Sequence, residues 1–313
     1  RQAMAEPVSE KTAVAAAPDV VSPVEAPASK DADGENFPVG SFLISAELRP
    51  AVAAYYAFAR AIDDIADSPD LSPDEKIARL DGFDKAVQGH NDAPGFEKGR
   101  ALGRVLMERG VDLACARDLT VAFKQDAIKG RYADWGELAN YCRYSANPVG
   151  RFLIDLHGEG ADAYAPSDAL CTALQVLNHL QDCGDDLREI DRVYVPADWM
   201  AEEGSGVNDL RKPALTKGLR RTLDRMLDEC ERLLEIAAPL PAKARDRRFA
   251  MECGTIVALG ARLTALLRDG DPLAARVALS KRDFAAAGLR GVLQGVFGKR
   301  PPRRPAAPTA KAA

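Results

Sequence analysis

Two groups of aspartates are the residues of this chain whose type and spacing could do chemistry. The first lies in Tyr55-Tyr56-Ala57-Phe58-Ala59-Arg60-Ala61-Ile62-Asp63-Asp64-Ile65-Ala66-Asp67, the second in Asn178-His179-Leu180-Gln181-Asp182-Cys183-Gly184-Asp185-Asp186. On a helix each residue advances about 100°, so positions three and four apart share a face. Asp63, Asp64 and Asp67 then converge, with Arg60 one turn before them and Tyr56 one turn before that. Asp182, Asp185 and Asp186 converge likewise, with Asn178 one turn before. Acids stacked this way repel one another. One such stripe alone reads as a solvated acidic face. Two stripes on separate helices, each inside apolar sequence, favour a cleft in which cations neutralise the carboxylates. Mg²⁺ suits that arrangement, because it takes carboxylate oxygens, keeps waters and shares substrate phosphates. A diphosphate held between two such clusters is a good leaving group. Breaking its C–O bond leaves a carbocation, which needs an apolar cavity shielded from stray water.

The elements that must position these acids read as helices. Leu48 to Ala66 is a long periodic pattern closed by Ser68-Pro69. Ser72-Pro73-Asp74-Glu75 has the form of a helix start: Ser72 caps, Pro73 fits the first turn and Glu75 completes a capping box. Asp134 and Glu137 repeat that spacing ahead of Leu138. Further helical patterns run near 99–109, 114–129, 168–189, 209–236, 244–268 and 272–297, with little strand alternation and no internal repeat. The expected organisation is an Ala/Pro-rich disordered tail over 1–34, one helical domain over 35–297, and a basic, Pro/Ala-rich disordered tail over 298–313.

The bulk composition narrows the classes. The 313 residues are 47% hydrophobic, 28% charged and only 6% aromatic, a mix that favours helices over strands. A formal charge of −5 argues against general nucleic-acid binding. No continuous apolar run approaches the roughly 20 residues of a membrane span. Cys115, Cys142, Cys171, Cys183, Cys230 and Cys253 form no C-x-x-C pair, so they read as buried free thiols. His90, His157 and His179 lie far apart in sequence, so any metal would be held by carboxylates.

At these residues the chain resembles the squalene/phytoene synthase family. Ser41-Phe42 followed by Tyr56-x-x-x-Arg60-x-x-Asp63-Asp64-x-x-Asp67 is similar to the family's first block. Asp126, Arg131-Tyr132, Leu138 and Tyr141-Cys142 resemble its middle block. Asn178-x-x-x-Asp182-x-x-Asp185-Asp186 resembles its second acidic block, and Arg192-Val193-Tyr194-Val195-Pro196 the basic-x-Tyr-x-Pro segment after it. The resemblance spans nearly the whole region between the tails. It implies an all-α, single-domain isoprenoid-synthase bundle with a central cavity. Two or three Mg²⁺ ions would be held by Asp63, Asp64, Asp67, Asp182, Asp185 and Asp186. Ser41, Arg60 and Asn178 would contact the diphosphate. Tyr56, Tyr141 and Phe42 would border the reacting carbons, with aromatic faces able to stabilise a cation. For Tyr and Phe at helical spacing, a place in the core is the competing reading.

Two segments resemble one bacterial branch of that family, the one that forms hydroxysqualene. They are Glu35-Asn36-Phe37-Pro38-Val39-Gly40-Ser41 and Tyr141 to Arg151, in which Asn147-Pro148 replaces part of a small-residue run. Pro148 inside a helix would bend its axis beside the cavity. Gln181 departs from the Arg that phytoene-type members commonly carry there, which alters how a diphosphate is held. The branch resemblance implies presqualene diphosphate as substrate, water capture of the cation and no NADPH. Head-to-head joining of two prenyl diphosphates is the alternative within the family, and a non-catalytic scaffold relative the alternative outside catalysis. A greasy substrate and the basic tail fit a cytoplasmic protein with peripheral contact at the inner face of the cell membrane. Transient contact with neighbouring pathway enzymes is conceivable on the same chemistry.

Overall fold

A computed structural model describes Val24 and residues 43–299. The expected tails over 1–34 and beyond Lys299, and the Glu35–Ser41 entry with Ser41 and Phe42, lie outside the described residues. Among those described there is no strand, only an isolated parallel bridge between Arg131 and Val193. The described residues are otherwise helices joined by turns and loops. The helices are α1 (Arg49–Asp67), α2 (Pro73–Val87), α3 (Glu97–Arg109), α4 (Ala114–Asp126), α5 (Trp135–Ser145), α6 (Asn147–Leu156) and α7 (Tyr164–Gln181). There follow α8 (Cys183–Glu189), α9 (Ala197–Glu202), α10 (Lys217–Ala237), α11 (Leu240–Lys243), α12 (Arg247–Asp269) and α13 (Lys281–Phe297).

Local chemistry sets several boundaries where the sequence puts them. Ser72 caps α2 with the full capping box to Glu75. Asp134 accepts from the Glu137 amide at the start of α5, while Glu137 reaches back to the Ala133 amide one residue before the cap. Two boundaries differ from the periodic reading. The pattern over 168–189 is split at Asp182, whose φ of −102° and ψ of 8° end α7 and admit α8. Pro148 does not bend a continuous helix. Ala146 leaves helical geometry (φ −121°, ψ −46°), and Pro148 stands in the first turn of the new helix α6, where a missing N–H costs nothing.

Helix α1 shows how the core and the cavity are divided. One face buries Val52, Tyr55, Phe58, Ile62 and Ile65 against α3 and α4. The other turns Tyr56, Arg60, Asp63 and Asp67 inward to a cavity. Tyr55 is tied down by a 2.9 Å hydrogen bond to the Cys115 carbonyl and stacks on Phe152 at 4.1 Å. A second core lies under α5, α7, α10 and the 193–195 segment, and a third joins α7, α10, α11 and α12. Five of the six cysteines are buried in these cores and all are free thiols.

Among the described residues, α12 is the one helix long and apolar enough to cross a membrane. Half of its apolar window is buried, against α7, α10 and α13, so it serves as a core helix of the bundle. Helix α13 crosses α12 closely: the Cα of Gly291 is 3.2 Å from where a Cβ on Gly254 would stand, and a Cβ on Gly291 would meet Thr255 Oγ1 at 2.1 Å. Only glycine permits that approach.

Candidate active site

The cavity encloses about 590 Å³ and lies between the two acidic helices. From α1 it takes Tyr56, Ala59, Arg60, Asp63 and Asp67. From α7 and α8 it takes Gln175, Asn178, His179, Asp182, Asp185 and Asp186. The remaining wall comes from Phe123 and Asp126 of α4, Tyr141 and Ser145 of α5, and Glu189, Ile190, Arg192, Tyr194 and Arg276. The fold thus brings both predicted acid groups and Tyr56, Arg60, Tyr141 and Asn178 to one space. Asp64 is not part of that lining. It is buried at 7% exposure and accepts from Arg60 Nη2 at 2.8 Å.

The first acid group is already engaged with arginines. Arg60 Nη1 donates to Asp63 at 2.6 Å while its other amino group holds Asp64. Arg192, itself 6% exposed, donates to Asp67, and through Nη2 to the carbonyls of Ala66 and Asp126, each at 3.1 Å. One guanidinium therefore joins the end of α1 to the end of α4. Burial raises the Asp63 carboxyl well above the usual carboxylate range; Asp67 adds to the rise and Arg60 opposes it. A carboxylate pair in this state is stabilised by any added positive charge, a proton or a metal cation alike.

A buried phenol cluster forms the adjoining wall. Tyr141 donates to Asp126 Oδ2 at 2.7 Å, and Tyr194 donates to Oδ1 at 3.4 Å. The Asp126 carboxyl is pushed up to about 7 by burial, with Arg192 and the two phenols pulling the other way. His179 stacks on Tyr194 with ring centroids 3.5 Å apart. Gln175 Nε2 lies 3.1 Å from His179 Nε2. His179 Nδ1 lies 3.9 Å from Asp186. Asp185 stands at the rim, 57% exposed and paired with Arg188.

Asp126, Arg192 and Tyr194 are motif positions to which sequence reasoning assigns no role. It leaves His179 aside and is silent on Gln175, Ser145 and Arg276. Arg276 comes from the connection between α12 and α13, and Gln181 holds it there. The Gln181 side chain does not line the cavity. It is buried and donates to the Val277 carbonyl at 2.6 Å, anchoring the segment that carries Arg276. A positive charge thus reaches the cavity from position 276, although position 181 is uncharged. Asn147 also lies off the lining, where Thr172 Oγ1 donates to its Oδ1 at 3.0 Å.

Could these residues hold Mg²⁺? The donors are hard carboxylate oxygens from two helices across one cavity, which suits that ion. Among the described residues no three acid, histidine or cysteine side chains converge into a ready-made cage. The donor set therefore fits an ion that takes only part of its shell from protein and the rest from water and a bound phosphate group.

The family model for squalene/phytoene synthase matches residues 31–283. The chain belongs to the squalene/phytoene synthase family. It is 40% identical over 276 residues to a hydroxysqualene synthase of Rhodopseudomonas palustris, covering 87% of this chain and 94% of that protein. It is 39% identical over 251 residues to a hydroxysqualene synthase of Zymomonas mobilis, covering 80% and 84%. Among solved structures it resembles the squalene synthase HpnC of Alicyclobacillus acidocaldarius, with a TM-score of 0.65 and 31% identity over 74% of this chain and 87% of that one. The all-α architecture around a central cavity is thus that of the squalene/phytoene synthases, a family of enzymes acting on isoprenoid diphosphates.

Proposed function

We propose that this chain is a hydroxysqualene synthase. It ionises presqualene diphosphate, lets the cyclopropylcarbinyl cation rearrange and open, and captures it with water. Hydroxysqualene and diphosphate leave, and the water supplies the hydroxyl while its second proton goes to solvent or diphosphate. The observation that carries the reading is two acid groups facing each other across one cavity, in a chain aligned nearly end to end with hydroxysqualene synthases.

The residues have distinct tasks in this reaction. Asp63, Asp67, Asp182 and Asp186 would hold Mg²⁺, with Asp185 at the rim. The bound ion supplies charge neutralisation for the departing diphosphate. Arg60, Asn178 and Arg276 bind and orient the diphosphate oxygens. Tyr56, Phe123 and Tyr141 present aromatic surface to the cation and keep bulk water away. Arg192 fixes Asp67 in place, and Asp126 fixes the ring of Tyr141. Water, not hydride, ends the reaction, so no NADPH takes part. Ser41 and Phe42 keep the roles that the family resemblance gives them, as a diphosphate contact and a wall residue.

The test is incubation with Mg²⁺ and no reductant, offering presqualene diphosphate in one tube and farnesyl diphosphate in another, with products identified by mass spectrometry. Hydroxysqualene from the first tube and nothing from the second is the expected result. It should vanish with EDTA and fall by orders of magnitude in Asp63→Asn and Asp182→Asn. A condensation product from farnesyl diphosphate would replace this reading with head-to-head transfer. Inertness in both tubes would favour a non-catalytic relative.

A further inference from the structure

Helix α13 is built inside out. The stripe it turns to the bundle is Ala287, Gly291 and Gly295, packed on Met251, Gly254 and Thr255 of α12. Its large apolar side chains point the other way. Leu289 is 63% exposed, Leu293 48% and Phe297 78%, with Val292 and Val296 between them. At 100° per residue these five fall within one arc, opposite the glycine stripe. Other exposed apolar side chains, such as Met107, Val121 and Ile236, sit singly on separate helices. A continuous apolar face of this kind marks a docking surface.

The charges around it say what docks. Arg282 and Arg290 are exposed on the same helix, and Asp283 is engaged by Arg262 at 2.7 Å. Beyond Phe297 the sequence continues Lys299, Arg300, Arg303 and Arg304, with no acidic residue from Gly298 to Ala313. This concentration of positive charge belongs to a chain whose net charge is −5. A second copy meeting the same face would bring like charges together. An anionic bilayer offers both an apolar interior for the leucines and phenylalanine and phosphate groups for the basic residues.

We infer that the outer face of α13, with its exposed Lys281, Arg282 and Arg290, docks this protein on the surface of an anionic lipid bilayer. Helix α13 lies in the plane of the interface, with Leu289, Leu293 and Phe297 in the acyl boundary. This does not rest on the catalytic reading, because binding is measured without substrate.

The experiment is co-sedimentation of the full chain with vesicles of phosphatidylcholine alone and of equimolar phosphatidylcholine and phosphatidylglycerol. The wild type should partition about tenfold more strongly onto the anionic vesicles, and less so as salt is raised. Leu293→Glu with Phe297→Glu, both exposed positions, should reduce that partition about tenfold while leaving circular dichroism and melting temperature unchanged. Equal binding by the double variant, or none by the wild type, overturns the inference. So does a wild-type dimer in light scattering that the double variant converts to monomer, since the face would then be a self-association surface.

Discussion

The phenol of Tyr141 donates to a carboxylate of Asp126 that burial holds near neutrality, at 2.7 Å inside the cavity wall. This bond fixes the rotation of a ring that lines the reaction space. Removing the hydroxyl in Tyr141→Phe keeps the aromatic face but leaves Asp126 only the longer contact from Tyr194, at 3.4 Å. Turnover of presqualene diphosphate should fall about tenfold, with stability lowered by about 1–3 kcal/mol. Asp126→Ala should cost more stability, because two buried phenols then lose their acceptor. Steady-state kinetics beside denaturant unfolding separates the two effects.

Arg192 makes a second prediction. It is buried and bonds Asp67 and two carbonyls on different helices. Arg192→Met removes the charge and leaves Asp67 and the Asp126 carbonyl without this donor, while the Ala66 carbonyl keeps only Lys76 Nζ at 2.8 Å. Breaking a buried pair from one side costs about 3–5 kcal/mol, so the melting temperature should drop sharply. Arg192→Lys should recover only part of the loss, since one ammonium cannot span three acceptors in a planar fork. Thermal unfolding of the three proteins tests the order.

Ser145 carries a prediction about product choice. Its Oγ faces the cavity, is buried, and has no hydrogen-bond partner among the described residues. It stands one turn beyond Tyr141 on α5, where it can hold the water that captures the cation. Ser145→Ala should leave substrate consumption near normal and shift products from hydroxysqualene toward eliminated hydrocarbons. Loss of one hydrogen bond of about 1 kcal/mol corresponds to a shift of about fivefold. An unchanged product ratio by mass spectrometry would remove Ser145 from the capture step.

Glu252 on α12 gives a pH dependence far from the chemistry. It is 6% exposed, and burial alone pushes its carboxyl up to about 7 from an ordinary value of 4.5. A raised acid is bound to its proton more tightly in the native state than in the unfolded one. Stability from this residue is therefore whole below about pH 4.5 and declines as pH rises toward 7. Glu252→Gln should match the wild type at pH 4 and exceed it at pH 8, by up to about 3 kcal/mol. Urea unfolding at the two pH values checks both the sign and the window.

Much of the architecture was legible where the determining forces are local. The Ser72 capping box, the Asp134 cap and the long apolar face of α1 depend on neighbours within a few residues. The acid groups were legible for the same reason, with one refinement. Asp63 and Asp64 are adjacent, so they sit about 100° apart around the helix. Only Asp63 lines the cavity, and Asp64 falls to Arg60 behind it. Other site members are set by contacts that no periodicity encodes. Arg192 meets Asp67 across 125 positions, and Arg276 reaches the cavity because a bond spanning 96 positions holds its segment there. The break at Asp182 was hidden because both halves keep helical composition on either side of a single non-helical residue.

The bond from Gln181 to the Val277 carbonyl has a consequence for the history of this cavity. Position 181 closes α7 immediately before the second acids, yet it governs a cationic side chain from the far end of the chain. Replacing Gln181 with arginine would add one charge near the cavity while releasing the strap that delivers another. Residue 181 and the segment around 276 are therefore epistatic: neither can drift toward another specificity alone, and their substitutions should combine non-additively.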